Sequence, residues 1–141
     1  MTSRPAGPHY SPFTIGGGLI FVSGQLPLLP GRDTSLAAAP FKEQVEQTLR
    51  NLESVLRDAG ADVTRVIKTT VYLSDISDWD ELDGVYGAFF GATRPSRSVV
   101  PTGPLHFGFR IEIEAVALAA SDADLVAVEG DQRFAGQAGS L

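Results

Sequence analysis

The sequence contains no cysteine. That excludes a disulfide scaffold, a thiol nucleophile and cysteine ligands for zinc. Histidine is almost as scarce: His9 and His106 stand far apart, which argues against a histidine-rich metal site. Basic residues are few, with Lys and Arg totalling 11 against 17 Asp and Glu, for a net charge of −6. A chain this acidic is a poor general binder of nucleic-acid backbones, which demand Lys/Arg neutralisation. No apolar run reaches the roughly 18 residues a membrane helix needs. The first ten residues, MTSRPAGPHY, lack the apolar centre of a secretory signal. The expected location is cytoplasmic, with no membrane and no nucleic acid among the partners.

What is present fits one ordinary domain. The chain has 141 residues, 43% of them hydrophobic and 20% charged, enough to bury a substantial core. Arg outnumbers Lys nine to two, and Ala and Gly are plentiful, as in a GC-rich bacterial genome. Residues 121–141 differ from the rest. They hold four acids and one Arg, so half of the negative charge sits in this tail. An acidic, mobile tail over 121–141, beyond a domain spanning 1–120, is the expected organisation.

Within the domain, Tyr10–Ile15 and Leu19–Ser23 flank Gly16-Gly17-Gly18 and read as a hairpin. Residues 26–40, with three prolines and a glycine, read as a loop. Val45, Leu49, Leu52, Val55 and Leu56 recur at helical spacing, predicting a helix over 41–60 that stops at Gly60. Thr64–Leu73 is dense in β-branched residues and reads as a strand. Ser77 is placed to cap a second helix, with Asp78, Asp80 and Glu81 in its first turn and a stripe running from Trp79 to Phe90. Ser96–Pro101 is a strand, 102–108 is irregular, and 109–118 alternates in and out. Helices segregated from a mixed sheet argue for an α+β fold. Two helices would cover one face, leaving another, with Val99 and Val116 among its candidates, to meet a neighbour.

The chemistry-bearing residues admit two readings each. Glu112 and Glu114 share one strand face, either as a solvated face or as carboxylates that handle protons in a cleft between subunits. Arg97, flanked by Ser96 and Ser98, is either a structural ion-pair partner or a clamp for a small acid. Ser23-Gly24-Gln25 ends a strand, where Gly24 allows close approach to the backbone and Ser23 offers a hydroxyl. Ser23 is no hydrolase nucleophile, having neither a local histidine base nor a G-x-S-x-G elbow. The Gly16–Gly18 run lacks the lysine and following helix of a phosphate loop. His106 reads as a loop histidine.

Six segments then occur together in order: Phe21-Val-Ser-Gly-Gln25, Gln47-Thr-Leu-Arg-Asn-Leu52, Val66-Ile-Lys-Thr-Thr-Val-Tyr-Leu73, Val85-Tyr-Gly-Ala-Phe-Phe90, Arg94-Pro-Ser-Arg-Ser98 and Ile111-Glu-Ile-Glu-Ala-Val-Ala117. Over about residues 8–119 the chain resembles the reactive-intermediate deaminase (RidA/YjgF) family. The resemblance implies a chorismate-mutase-like α+β fold, expected here as a mixed sheet of about six strands with two helices on one face. It implies a homotrimer with clefts between subunits, and cofactor-independent hydrolysis of small 2-imino and 2-enamino acids to 2-keto acids and ammonia. It implies Arg97 as the carboxylate-binding residue, Glu112 as the group that positions water, and Tyr10, Ser23, Gly24 and Val99 as substrate-binding positions. No cofactor and no metal are expected. The chain departs from the family pattern at His9, where Pro8-His9-Tyr10 replaces Gly-Pro-Tyr, and at Asp83, in place of an asparagine. Val99 replaces a cysteine, and Leu105-His106 replaces Leu-Pro. These departures bear on the substrate, leaving open a specialised member that takes a larger imine or aminomuconate-like acid. A non-enzymatic ligand-binding or chaperone-like trimer, and the ribonuclease activity of some relatives, are further alternatives.

Overall fold

A computed structural model describes residues 7–119. The acidic tail lies outside the described residues. Strands β1 (Phe13–Gly16) and β2 (Leu19–Gln25) form the expected hairpin. Gly17 and Gly18 both have positive φ, at 60° and 77°, which a two-residue turn matched to the strand twist requires. β1 is shorter than its apolar run suggests. The chain leaves the ladder at Pro12, which has no N–H to give, although Ser23 N–H still reaches the Pro12 carbonyl at 3.0 Å.

Helix α1 (Phe41–Asp58) buries Val45, Leu49, Leu52 and Leu56 as one stripe. Each such fully buried side chain contributes about 1.5–3 kcal/mol. The helix ends in a Schellman turn, with Gly60 N–H bonded to Arg57 O and Ala61 N–H to Leu56 O; Gly60 adopts φ 80°. Strand β3 (Val66–Leu73) begins two residues later than the β-branched run, because Asp62 accepts the Thr64 N–H and holds Val63–Arg65 in a 3₁₀ turn. Helix α2 (Trp79–Phe90) likewise starts after a 3₁₀ turn. Ser77 does not cap it; Asp75 accepts the Ser77 N–H and caps that preceding turn. Strands β4 (Ser96–Pro101) and β5 (Ile111–Leu118) complete the fold. Phe109, expected in the last strand, instead precedes it as a buried anchor after a loop in which Phe107 adopts φ 63°.

The sheet order is β1-β2-β5-β3-β4, with only the β3–β4 pair parallel. Five strands are formed among the described residues, fewer than the six or so expected. Both helices cover one face, over Ile20, Val22, Val71, Ile111, Ile113 and Ala115. Among the described residues, the opposite face is open. Val116 lies on it, paired in register with Phe21. Val99 does not: its neighbour in β3 is the buried Val71, and it packs against the core under the helices.

Candidate active site

β5 alternates strictly, so Ile111 and Ile113 enter the core while Glu112 and Glu114 stand on the open face. Between Val22 and Gln25 the β2–β5 register slips, placing Ser23 and Gly24 opposite Glu114 as a bulge. The bulge opens room that Glu112 fills. A Cβ on Gly24 would lie 2.8 Å from Glu112 Oε2 and 2.9 Å from its Cδ, so only glycine leaves the carboxylate in place. An open cleft of about 890 Å³ lies over this point, lined by Tyr10, Ser23, Gly24, His106, Glu112 and Glu114 among others. Its far wall is the chain after β2. Asn51 donates to the carbonyls of Leu26 and Leu28 at 2.9 and 2.8 Å, and Gln47 donates to Asn51 Oδ1. One polar patch of α1 thereby fixes the loop that closes the cleft.

The two glutamates are held differently. Glu114 accepts a hydrogen bond from the Tyr72 hydroxyl. Glu112 is half-buried, and its pKa is raised, first by burial and then by the charge of Glu114, with His106 opposing. Neither glutamate is therefore simply part of a solvated face. Ser23 donates its hydroxyl to the Ser11 carbonyl at 2.6 Å, which ties the arm carrying Tyr10 to the bulge and leaves the Ser23 oxygen free to accept. Tyr10 is exposed at the rim. His106 stacks on Phe107, with ring centroids 3.6 Å apart, and borders the same cleft.

Arg97 lies elsewhere. It neighbours the buried Thr69 across β3–β4 and points to the helix-covered side, on the edge strand of the sheet as formed by the described residues. Its guanidinium carbon sits 4.8 Å from the Tyr86 ring centre and 5.4 Å from that of Trp79. Nη1 donates to Asp83 Oδ1 at 3.0 Å. Tyr86 is held in turn by a 2.7 Å hydrogen bond with Thr69, and burial raises its pKa against the opposing influences of Thr69 and Arg97. A second cleft, about 540 Å³, is lined by Asp83, Tyr86, Arg94 and Arg97. The structure thus brings Tyr10, Ser23, Gly24 and Glu112 together and puts Arg97 and Val99 on the other side of the sheet. Tyr72 holding Glu114, Trp79 and Tyr86 beneath Arg97, and Asn51 holding the loop after β2 are site residues that the sequence reading did not single out. Trp79, Asp83 and Tyr86, spaced by four and three on one helix, are the sequence signal for a platform under a cation.

The family model described as Endoribonuclease L-PSP matches residues 1–119. A RutC family protein of Sinorhizobium fredii is 40% identical over 110 residues, covering 78% of this chain and 86% of that protein. The 2-iminobutanoate/2-iminopropanoate deaminase of Homo sapiens is 38% identical over 109 residues, covering 77% of this chain and 79% of that enzyme. Among solved structures, E. coli TdcF with bound serine matches with a TM-score of 0.71 and 33% identity, over 81% of this chain and 90% of that one. With a family match across the whole sheet and both helices, and relatives well above 30% identity, this chain belongs to the endoribonuclease L-PSP family, that of the YjgF/RidA proteins.

Proposed function

We propose that the protein hydrolyses the C=N bond of small 2-imino acids, and of the 2-enamino acids that tautomerise to them, giving 2-keto acids and ammonia. The observation that carries this reading is the Glu112 carboxylate, seated on Gly24 in the larger cleft with a raised pKa. An imine carbon is already electrophilic once its nitrogen is protonated. The protein's task reduces to holding the acid, placing a water and moving a proton. Glu112 takes a proton from water as the oxygen bonds to the imine carbon and the C=N π pair moves to nitrogen. The proton then passes to that nitrogen. The C–N bond breaks as the hydroxyl oxygen closes to the ketone and gives its proton back to Glu112, and the departing ammonia carries that proton away as ammonium. A pKa raised above the ordinary glutamate value suits a group that must both accept and return a proton.

Arg97 is the carboxylate clamp in this reading, since a guanidinium offers two parallel N–H donors to a carboxylate. Arg97 and Glu112 stand on opposite faces of one chain's sheet. We therefore take the working site to lie between copies in a homotrimer, Glu112 from one subunit facing Arg97 from the next. Apolar exposure on the open face supports a neighbour there: Phe21 is 45% exposed and Val100 36%. The human relative's deaminase name supports the substrate class. The family label also names an endoribonuclease, but a net charge of −6 disfavours RNA.

The test generates 2-iminopropanoate in situ with an amino-acid oxidase and follows its loss. Wild type should accelerate hydrolysis, and Arg97→Ala and Glu112→Gln should not. No acceleration by a folded trimer would overturn the small-substrate reading. A clean monomer at micromolar concentration would overturn the site between subunits.

A further inference from the structure

We propose that Asp83 sets the charge preference of the Arg97 site, making it take a small carboxylic acid that also bears a positive nitrogen ahead of a plain carboxylate. The inference rests on the reading of Arg97 as the carboxylate clamp. Arg97 is held firmly: its side chain is 19% exposed, with its guanidinium lying over the rings of Tyr86 and Trp79. Asp83 sits between those two aromatics in the helix sequence and occupies Nη1 of the guanidinium at 3.0 Å. Its own side chain is 51% exposed and borders the smaller cleft. The site is therefore an ion pair before any ligand arrives, with the guanidinium tethered and the carboxylate reaching into open space.

That arrangement has a chemical consequence. A guanidinium carries five N–H donors, so the Nε/Nη2 edge remains for a ligand carboxylate after Asp83 has used Nη1. A carboxylate docked on that edge lies close to the Asp83 carboxylate and is repelled by it. A positive nitrogen on the adjacent carbon of the ligand faces the same group and is attracted. Arg94, exposed on the same cleft, adds positive charge but makes no ion pair with Asp83. A protonated 2-imino acid carries both charges, whereas the 2-keto acid left after hydrolysis carries only the negative one. The same residue thus favours entry of the substrate and exit of the product. An asparagine at position 83 would keep the shape and lose this discrimination.

Alanine and pyruvate make the probe pair, because they differ only in an ammonium against a ketone. Their dissociation constants are measured by NMR titration on the native oligomer of wild type, Asp83→Asn and Arg97→Ala. For a partly exposed charge, the alanine-to-pyruvate affinity ratio should move towards pyruvate by about three- to tenfold in Asp83→Asn. Pyruvate should bind Asp83→Asn more tightly in absolute terms. An unchanged ratio overturns the proposal, as does an equal loss for both ligands, which would make Asp83 only a support for the Arg97 side chain. Arg97→Ala separates the two levels. If it abolishes binding of both probes while Asp83→Asn leaves their ratio unchanged, the clamp stands and only this inference falls. If both probes bind Arg97→Ala as they bind wild type, the clamp reading itself fails and takes the inference with it.

Discussion

The two clefts hold their charged groups by opposite physics. Glu112 is placed in partial burial beside another acid, and both influences oppose its charge. Arg97 is placed against an acid and over two aromatic rings, and all three favour its charge. The first arrangement yields a group ready to trade protons. The second yields a fixed cation that binds rather than reacts. The sheet separates them, with Glu112 in register with Tyr72 on the open face and Arg97 in register with Thr69 beneath α2. With the roles proposed for them, Glu112 and Arg97 on opposite faces of one sheet would become one site only across a subunit boundary.

The most decisive way to break this comparison is complementation. Arg97→Ala and Glu112→Gln should each lower kcat/KM by at least about a hundredfold, the scale expected when a charge-assisted contact or a proton-transfer group is lost. Coassembled in equal amounts, the two inactive variants should recover about a quarter of wild-type activity, because a random trimer pairs an intact Arg97 with an intact neighbouring Glu112 in that fraction of sites. Recovery near zero would mean that both residues act within one chain.

Next in size is Gly24→Ala. The added methyl collides with Glu112 Oε2 at 2.8 Å and must push the carboxylate out of the cleft or shift the bulge. Activity should fall by about tenfold or more, with about 1–3 kcal/mol lost in stability. Denaturant melts and steady-state rates measured together check this. A fully active Gly24→Ala would show that the seat of Glu112 has no bearing on the chemistry.

Glu112→Gln sharpens the same point through stability. The Glu112 pKa is raised in the folded chain, so its favourable contribution is complete below the ordinary glutamate range and is lost as pH rises through the folded value. At neutral pH the buried charge costs the fold something that glutamine does not. The variant should melt on the order of a few degrees above wild type near neutral pH, and the gap should close at about pH 4. A lower melting temperature at both pH values would contradict the raised pKa.

Much of this architecture is legible from local pattern. The strict alternation of Ile111, Ile113, Ala115 and Ala117 against Glu112 and Glu114 fixes which side of β5 faces the core. The α1 stripe and Gly60 fix the first helix and its end. What pattern does not carry is long-range pairing. Arg97 reads as an ion-pair partner or an acid clamp and Val99 as a candidate for the uncovered face, and only the parallel register with Thr69 and Val71 turns both towards α2. Ser77 is a good cap by type, but Asp75, two residues earlier, caps the turn before the helix. Position 83 stands out as a departure from the family pattern, yet its partner emerges only when α2 is laid along β4. Local propensity thus gave the elements, and the register gave the site.

The smallest expected effect isolates the coupling between the two glutamates. Tyr72 donates to Glu114, and Glu114 is the nearest charge raising the Glu112 pKa. Tyr72→Phe removes a donor that stabilises negative charge on the pair while leaving the ring in place. Without the hydroxyl the Glu114 charge stands less compensated beside Glu112, so the repulsion that raises the Glu112 pKa grows. The acidic limb of the kcat/KM profile, which follows deprotonation of Glu112, should move to higher pH by on the order of half a unit, the reach of one hydrogen bond to a charged acceptor. The plateau at higher pH should change little, because the hydroxyl touches neither the water nor the imine. A limb that stays put would uncouple Glu114 from Glu112 and leave burial alone to set its proton affinity. A limb that moves to lower pH would contradict the Glu114 charge as an influence that raises the Glu112 pKa.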